Sequence, residues 1–169
     1  MDIAYALPED IGILSLLGPE TYRQHFGKLW KNEDELQQFL DNDFALEVLS
    51  KTLIDEDICW LLAHDRGEAV GYAKIDYQQI MPNSAAVGAK LSKLYLVAAG
   101  GSRGWGQRMM TRIVAEATAQ KQPFVWLEVL EENERAIKFY QRNGFQVVEK
   151  TFYRSASQTT ALFIMRRYI

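Results

Sequence analysis

The glycine-dense loop Gly100-Gly101-Ser102-Arg103-Gly104-Trp105-Gly106 lies between a strand pattern and a helix pattern, and it constrains this chain most strongly. Before it, Lys90-Leu91-Ser92-Lys93-Leu94-Tyr95-Leu96-Val97 alternates well enough for a core strand. After it, Met110, Ile113, Val114 and Ala117 mark one face of a helix. Strand, glycine-rich loop and helix in that order can cradle a phosphate. Glycines let successive backbone N–H groups approach the anion, and the helix dipole adds positive potential at its start. The loop lacks the Gly-Lys-Ser/Thr ending of a nucleoside triphosphate loop, and Trp105 between the last two glycines does not fit the dinucleotide fingerprint. Taken alone, it is as readily a tight turn.

The remaining segments predict a mixed α/β sheet. Ile3–Ala6 reads as a short strand, and Pro8-Glu9-Asp10 suits a helix start. Ile11, Leu14, Leu17, Tyr22, Phe26 and Leu29 recur at helical spacing, with Gly18-Pro19 interrupting them. Asn32 is a cap candidate before Glu33-Asp34-Glu35, opening one further helix whose apolar face is Leu36, Phe39, Leu40, Leu46 and Leu49. Ile58–Ala63 and Ala69–Ile75 form a hairpin across Asp65-Arg66-Gly67, and Met81-Pro82-Asn83-Ser84 breaks the chain. Beyond the loop, Phe124–Leu130 is a strand, Asn133 caps a helix that ends at Gly144, and Phe145–Val148 and Ala161–Met165 are late strands. The predicted order is strand, two helices, three strands, helix, strand, helix, two strands, with most antiparallel pairing early.

At 169 residues, 48% of them hydrophobic and 24% charged, the chain is expected to be one domain spanning 1–169. One cysteine, Cys59, excludes a disulfide framework and a multi-cysteine zinc site, and no apolar run approaches the roughly 20 residues of a membrane helix. A cytoplasmic protein with no metal, membrane or nucleic-acid partner is expected. Charge divides unevenly. Residues 1–85 carry six basic and sixteen acidic residues, a net of −10, and residues 86–169 carry thirteen and six, a net of +7. Solvated surface explains both halves unless a site draws on them.

The segment Leu127-Glu128-Val129-Leu130-Glu131-Glu132-Asn133-Glu134-Arg135-Ala136-Ile137-Lys138-Phe139-Tyr140-Gln141-Arg142-Asn143-Gly144-Phe145 resembles the signature of the GNAT superfamily of acyl-CoA-dependent N-acyltransferases. Its features are a strand, an Asn at the helix start, Ala then Phe-Tyr within the helix, and a closing Gly-Phe. The preceding loop is similar to the family's pyrophosphate motif: Gly104-Trp105-Gly106 matches the last three positions, after a strand ending Leu94-Tyr95-Leu96-Val97. Gly101 stands where the family has Gln or Arg, which removes one side-chain contact and keeps the backbone donors. The resemblance implies a mostly antiparallel sheet with splayed parallel strands around the cofactor, flanked by helices. Softer features, namely the acidic helical amino-terminal segment and Thr151-Phe152-Tyr153 with Gln158-Thr159-Thr160, resemble the bacterial polyamine acetyltransferase branch.

The resemblance further implies direct acetyl transfer from acetyl-CoA to a small cationic amine such as a polyamine. A protein amino terminus or lysine is the alternative acceptor, and a non-catalytic acyl-CoA-binding module the alternative class. Cofactor binding is expected from Tyr95, Leu96, Val97, Ser102, Arg103, Gly104, Trp105, Gly106, Gln107 and Asn133, with Arg108 a further contact. For Leu96 the backbone N–H is expected to polarise the thioester carbonyl, while the side chains of 95–97 are core. Tyr140 is the candidate acid for the departing thiolate. Some family members place a basic Glu on the strand before the loop, where this chain has Ser92 and Lys93, so Glu128 is the candidate base and Asp76 and Tyr72 are outside candidates. His25 and His64 fall in no motif. Homodimers are common in the family.

Overall fold

The computed structural model describes residues 1–97 and 103–169. Seven strands form one sheet in the order β1-β2-β3-β4-β5-β7-β6. They are β1 (Asp2–Tyr5), β2 (Ile58–Asp65), β3 (Glu68–Ile80), β4 (Val87–Leu96), β5 (Phe124–Leu130), β6 (Gln146–Arg154) and β7 (Thr159–Tyr168). Every pairing is antiparallel except β4 with β5. The helices are α1 (Ile11–Phe26), α2 (Glu33–Phe44), α3 (Leu46–Thr52), α4 (Trp105–Ala119) and α5 (Glu134–Arg142). This is the mixed, mostly antiparallel sheet flanked by helices that the sequence predicts.

The strands sort their side chains by period-two alternation. Leu61, Ala63, Ala73, Ile75, Ala89, Leu91, Val125 and Leu127 turn to one face and bury Met109, Met110 and Ile113 of α4. Trp60, Leu62 and Tyr72 turn to the other, against Leu14 of α1, Leu36, Leu40 and Phe44 of α2 and Leu49 of α3. Asn32 caps α2 by accepting from the N–H groups of Asp34 (2.9 Å) and Glu35 (3.2 Å).

Two local expectations change. Gly18-Pro19 does not interrupt α1, which runs through Pro19. A proline inside a helix costs about 3 kcal/mol, and packing offsets it here. Gly18 lies so close to the Phe44 ring that a β-carbon would fall 2.2 Å from it, and Tyr72 donates its hydroxyl hydrogen bond to the Gly18 carbonyl at 3.2 Å. The single helix predicted across Leu36–Leu49 is two, because Ala45 is extended (φ −58°, ψ 140°) and turns α3 away from α2.

Candidate active site

The site is built where β4 and β5 part. Their parallel pairing lasts two positions, Ala89 with Val125 and Lys90 with Trp126, after which the strands diverge. On the other side of β4, the Val97 N–H donates to the Val70 carbonyl at 2.9 Å. In an antiparallel ladder a residue turns its N–H and C=O the same way, and its neighbour turns them oppositely. Leu96 therefore points both backbone groups into the gap. Its carbonyl lies 2.9 Å from His25 Nε2, which must carry the proton because a carbonyl only accepts.

A cavity of about 1020 Å³ fills this gap. On the α4 side Gly104, Gly106 and Gln107 line it. Gly104 sits at φ +71°, the conformation glycine adopts freely, and helix α4 starts there without a side-chain cap. Among the described residues the Arg108 N–H is the first to bond back, reaching the Gly104 carbonyl at 3.2 Å, and the preceding N–H groups of the turn have no partner there. An uncapped, glycine-lined helix start beside the inward-facing Leu96 N–H fits the diphosphate and amide arm of a coenzyme A thioester.

Helix α5 contributes Asn133, Ala136, Phe139 and Tyr140 to the wall. Asn133 caps it by accepting from the Ala136 N–H at 3.1 Å. At the far end Gly144, at φ +82°, reverses the chain, so that the Phe145 N–H reaches the Tyr140 carbonyl and the Gly144 N–H reaches that of Gln141, both at 3.0 Å. These are the two bonds of a Schellman closure. Its accompanying apolar contact is Phe145 against the Tyr140 ring, 5.7 Å between centroids. The closing Gly-Phe of the sequence signature thus holds the Tyr140 ring in place. Burial pushes the Tyr140 phenol up to about 12, and no hydrogen bond among the described residues shifts it.

The opposite end of the cavity is aromatic and polar. Tyr22, Phe26, Trp30, Phe39, Tyr95 and Tyr153 line it. They touch in a chain: Tyr95 on Tyr22 (5.8 Å) and Phe26 (5.9 Å), Tyr22 on Phe39 (5.1 Å), and Phe39 on Tyr153 (5.7 Å). Burial foremost, with Tyr22, Tyr140 and Asp43 adding to it, raises the Tyr95 phenol. Beneath the rings, the β3–β4 register slips so that Lys74 faces Lys93 while Ile75 faces Leu91, leaving Ser92 as the extra residue of a bulge. An alternating network follows. Lys93 Nζ lies 2.8 Å from Asp43, Lys74 lies 3.4 Å from Asp43 and 3.2 Å from Asp76, and Ser92 donates to Asp76. Burial opposes ionisation of Asp43, but the Lys93 and Lys74 ammonium groups outweigh it and hold the carboxyl below its usual range. Glu128 lines the wall in an ion pair with Lys90, 2.8 Å between Oε2 and Nζ.

The cavity thus gathers Tyr95, Leu96, Val97, Gly104, Gly106, Gln107, Glu128, Asn133 and Tyr140 of the predicted set. Trp105 lies outside its wall, buried in the core under the sheet. Arg103 points away to Asp65 at 3.3 Å and over the Trp105 ring, in a separate shallow recess. Ser102 and Gly101 fall outside the described residues. Tyr72 is committed to the Gly18 carbonyl, and Asp76 stands behind Ser92. His25, Tyr22, Trp30, Phe39, Asp43 and Tyr153 are wall residues that the sequence does not single out for chemistry. Among the described residues no group of acids, histidines and cysteine is arranged to hold a metal, and no helix is long and apolar enough to cross a membrane.

Known proteins share the sequence pattern and the fold. The pattern of the acetyltransferase (GNAT) family matches residues 20–145. An uncharacterized N-acetyltransferase of Mycobacterium bovis is 28% identical over 134 residues, 79% of this chain and 82% of that one. Another, from the pepI 3′ region of Lactobacillus delbrueckii subsp. lactis, is 27% identical over 143 residues, 82% of this chain and 78% of its own length. In fold, the chain is similar to the PaiA N-acetyltransferase of Thermoplasma acidophilum in complex with coenzyme A, with a TM-score of 0.77 at 20% identity and full coverage of both chains. It is also similar to a ribosomal-protein-alanine N-acetyltransferase from Brucella melitensis, with a TM-score of 0.71 at 16% identity and full coverage.

Proposed function

The chain belongs to the acetyltransferase (GNAT) family, whose members are acetyl-CoA-dependent N-acetyltransferases, and we propose that it acetylates a small primary amine rather than a polypeptide. One observation carries this reading: the acceptor end of the cavity is bridged. The segment joining α1 to α2 is stitched to the tip of the β6–β7 hairpin. Gln158 Oε1 accepts from the Lys31 N–H (2.9 Å), Gln158 Nε2 donates to the Leu29 carbonyl (3.3 Å), and Ser157 donates to Glu35 (2.7 Å). Trp30 packs on Tyr153 beneath these bonds, 5.8 Å between centroids. An extended peptide needs an open groove at this place, whereas a small amine, a polyamine included, fits under a bridge.

In this reading the thioester supplies the acetyl group. The Leu96 N–H, aimed into the gap, polarises its carbonyl, and the α4 start holds the diphosphate. The neutral amine attacks that carbonyl carbon, the new C–N bond forms as the C–S bond breaks, Tyr140 donates a hydrogen bond to the departing sulfur, and the proton shed by the acylated nitrogen passes through solvent to the thiolate. The proton of the ammonium, whose ordinary value is near ~10.4, goes to Glu128, whose Oε1 is free of the bond that Oε2 makes with Lys90.

Thiol release from acetyl-CoA tests the assignment. Polyamines, alkylamines and arylalkylamines are compared with peptides bearing free amino termini or lysines. Turnover is expected with small amines alone. Turnover confined to peptides moves the acceptor class, and saturable coenzyme A binding without turnover on any amine leaves a binding module.

A further inference from the structure

Within the family's acetyl-transfer chemistry, and resting on the small-amine reading, we propose that the acceptor is a primary amine carried on an uncharged aromatic or branched apolar body, an arylalkylamine in chemical class. The argument is one of charge and surface. Asp43 and Glu128 are the carboxylates on the cavity wall among the described residues, and each is already neutralised: Asp43 by Lys93 and Lys74, Glu128 by Lys90. No unpaired carboxylate is left there to receive the second ammonium of a polyamine, which would also stand among three lysines. The converse holds for a carboxylate-bearing acceptor. Lys93 is buried, with its Nζ over the Phe39 ring at 5.8 Å and the Phe44 ring at 5.4 Å, and Lys74 is paired twice. Neither presents an open ammonium. Among the rings at this end a charged tail of either sign would give up water without an unpaired counter-ion, because Arg135 and Arg142 line the wall from α5.

The wall instead offers π faces. Tyr22, Phe26, Trp30, Phe39, Tyr95 and Tyr153 are all half-buried, each packed on a neighbour on one side and open to the cavity on the other. Such a surface takes an aromatic or branched body by area burial and edge-to-face contact. The acidic clusters that suggested a polyamine lie elsewhere. Glu33 pairs with Arg23, Glu35 sits at the bridge outside the cavity wall with Ser157 donating to it, and Asp55-Glu56-Asp57 is exposed at the α3–β2 connection.

The test is a steady-state comparison of phenethylamine and tryptamine with spermidine and with phenylalanine, which adds a carboxylate to the same ring. The arylalkylamines are expected to exceed both others in kcat/KM by about tenfold or more. Trp30→Leu and Phe39→Leu should each raise the phenethylamine KM about fivefold, with the acetyl-CoA KM held, which separates loss of the ring wall from loss of the fold. Spermidine or phenylalanine turned over as well as phenethylamine overturns the proposal while acetyl transfer stands. So does an unchanged phenethylamine KM in both variants. Absence of turnover on every amine removes the enzymatic reading and this proposal together.

Discussion

Tyr140 keeps its proton throughout the neutral range, because burial pushes its phenol up to about 12. The raised value favours the neutral form. Any stability it carries is therefore fully present below the unfolded value near 10 and is lost only as pH rises towards 12. A thiolate with an ordinary value near ~8.5 does not strip a proton from such a phenol at equilibrium. Tyr140 therefore acts as a hydrogen-bond donor while charge develops on the sulfur, and solvent completes the protonation. Tyr140→Phe is expected to lower kcat about a hundredfold, uniformly from pH 7 to 9, while leaving the acetyl-CoA KM within about twofold. Thiol release across that range measures it, and an unchanged kcat would reduce Tyr140 to packing. Residues of this kind were legible because they sit in contiguous motifs: Leu96 and Gly104 around the loop, Asn133 and Tyr140 on one helix. Tyr22, Trp30, Phe39, Tyr153 and His25 were not. At helical or strand spacing a ring reads as core, and only the fold brings rings from residues 22, 39 and 153 to one wall.

Helix α2 is tied to the sheet by charge as well as by Leu36, Leu40 and Phe44. Asp43 is its last polar residue before Ala45 turns the chain, and it meets Lys93 at 2.8 Å where the β4 bulge delivers that lysine. Removing one partner of such a pair leaves a buried charge unmatched and costs about 3–5 kcal/mol. Asp43→Asn is therefore expected to destabilise the protein by roughly 3 kcal/mol, and adding Lys93→Met should recover most of it, since the paired charges are then both gone. Urea unfolding of the wild type, both single variants and the double variant gives the coupling. The folded Asp43 carboxyl titrates below its unfolded value, so its stabilisation is present above about pH 4 and fades as the folded group protonates. Asp43→Asn should abolish that fraction of the acid sensitivity. Most elements here follow from periodicity and caps: Asn32, Asn133 and Gly144 mark real helix ends. The break at Ala45 and the slip at Ser92 left no such mark. Neither involves glycine or proline, and both arise from fitting α2, α3 and the bulged strand over one core. Pro19 misled in the other direction, because burial of Gly18 under Phe44 outweighs a local preference.

Across the whole molecule, the net of −10 over residues 1–85 and +7 over residues 86–169 is divided by the cavity. The acidic half builds β1–β3 and α1–α3, and the basic half builds β4–β7, α4 and α5. Arg135 and Arg142 of α5 reach the wall with the α4 start, so a polyanionic thioester approaches a positive side through solvent, where screening is effective. At the acceptor end the lysine–carboxylate pairs cancel within a few ångströms and project little field beyond the rings. The two substrates should therefore respond differently to salt. Raising ionic strength from about 0.01 M to about 0.1 M shortens the Debye length from roughly 30 Å to roughly 10 Å. The acetyl-CoA KM is expected to rise severalfold over that interval, whereas the acceptor KM should stay within about twofold. Both constants come from initial rates with the other substrate saturating. An acceptor KM that climbs in step with that of acetyl-CoA would mean that Glu33-Asp34-Glu35 and Asp55-Glu56-Asp57 steer the amine from outside the cavity. Neutralising Glu33, Asp34, Asp55, Glu56 and Asp57, which leaves the Glu35 bond of the bridge in place, would then have to erase the slope, whereas a neutral wall requires that neutralisation leave the acceptor KM where it was.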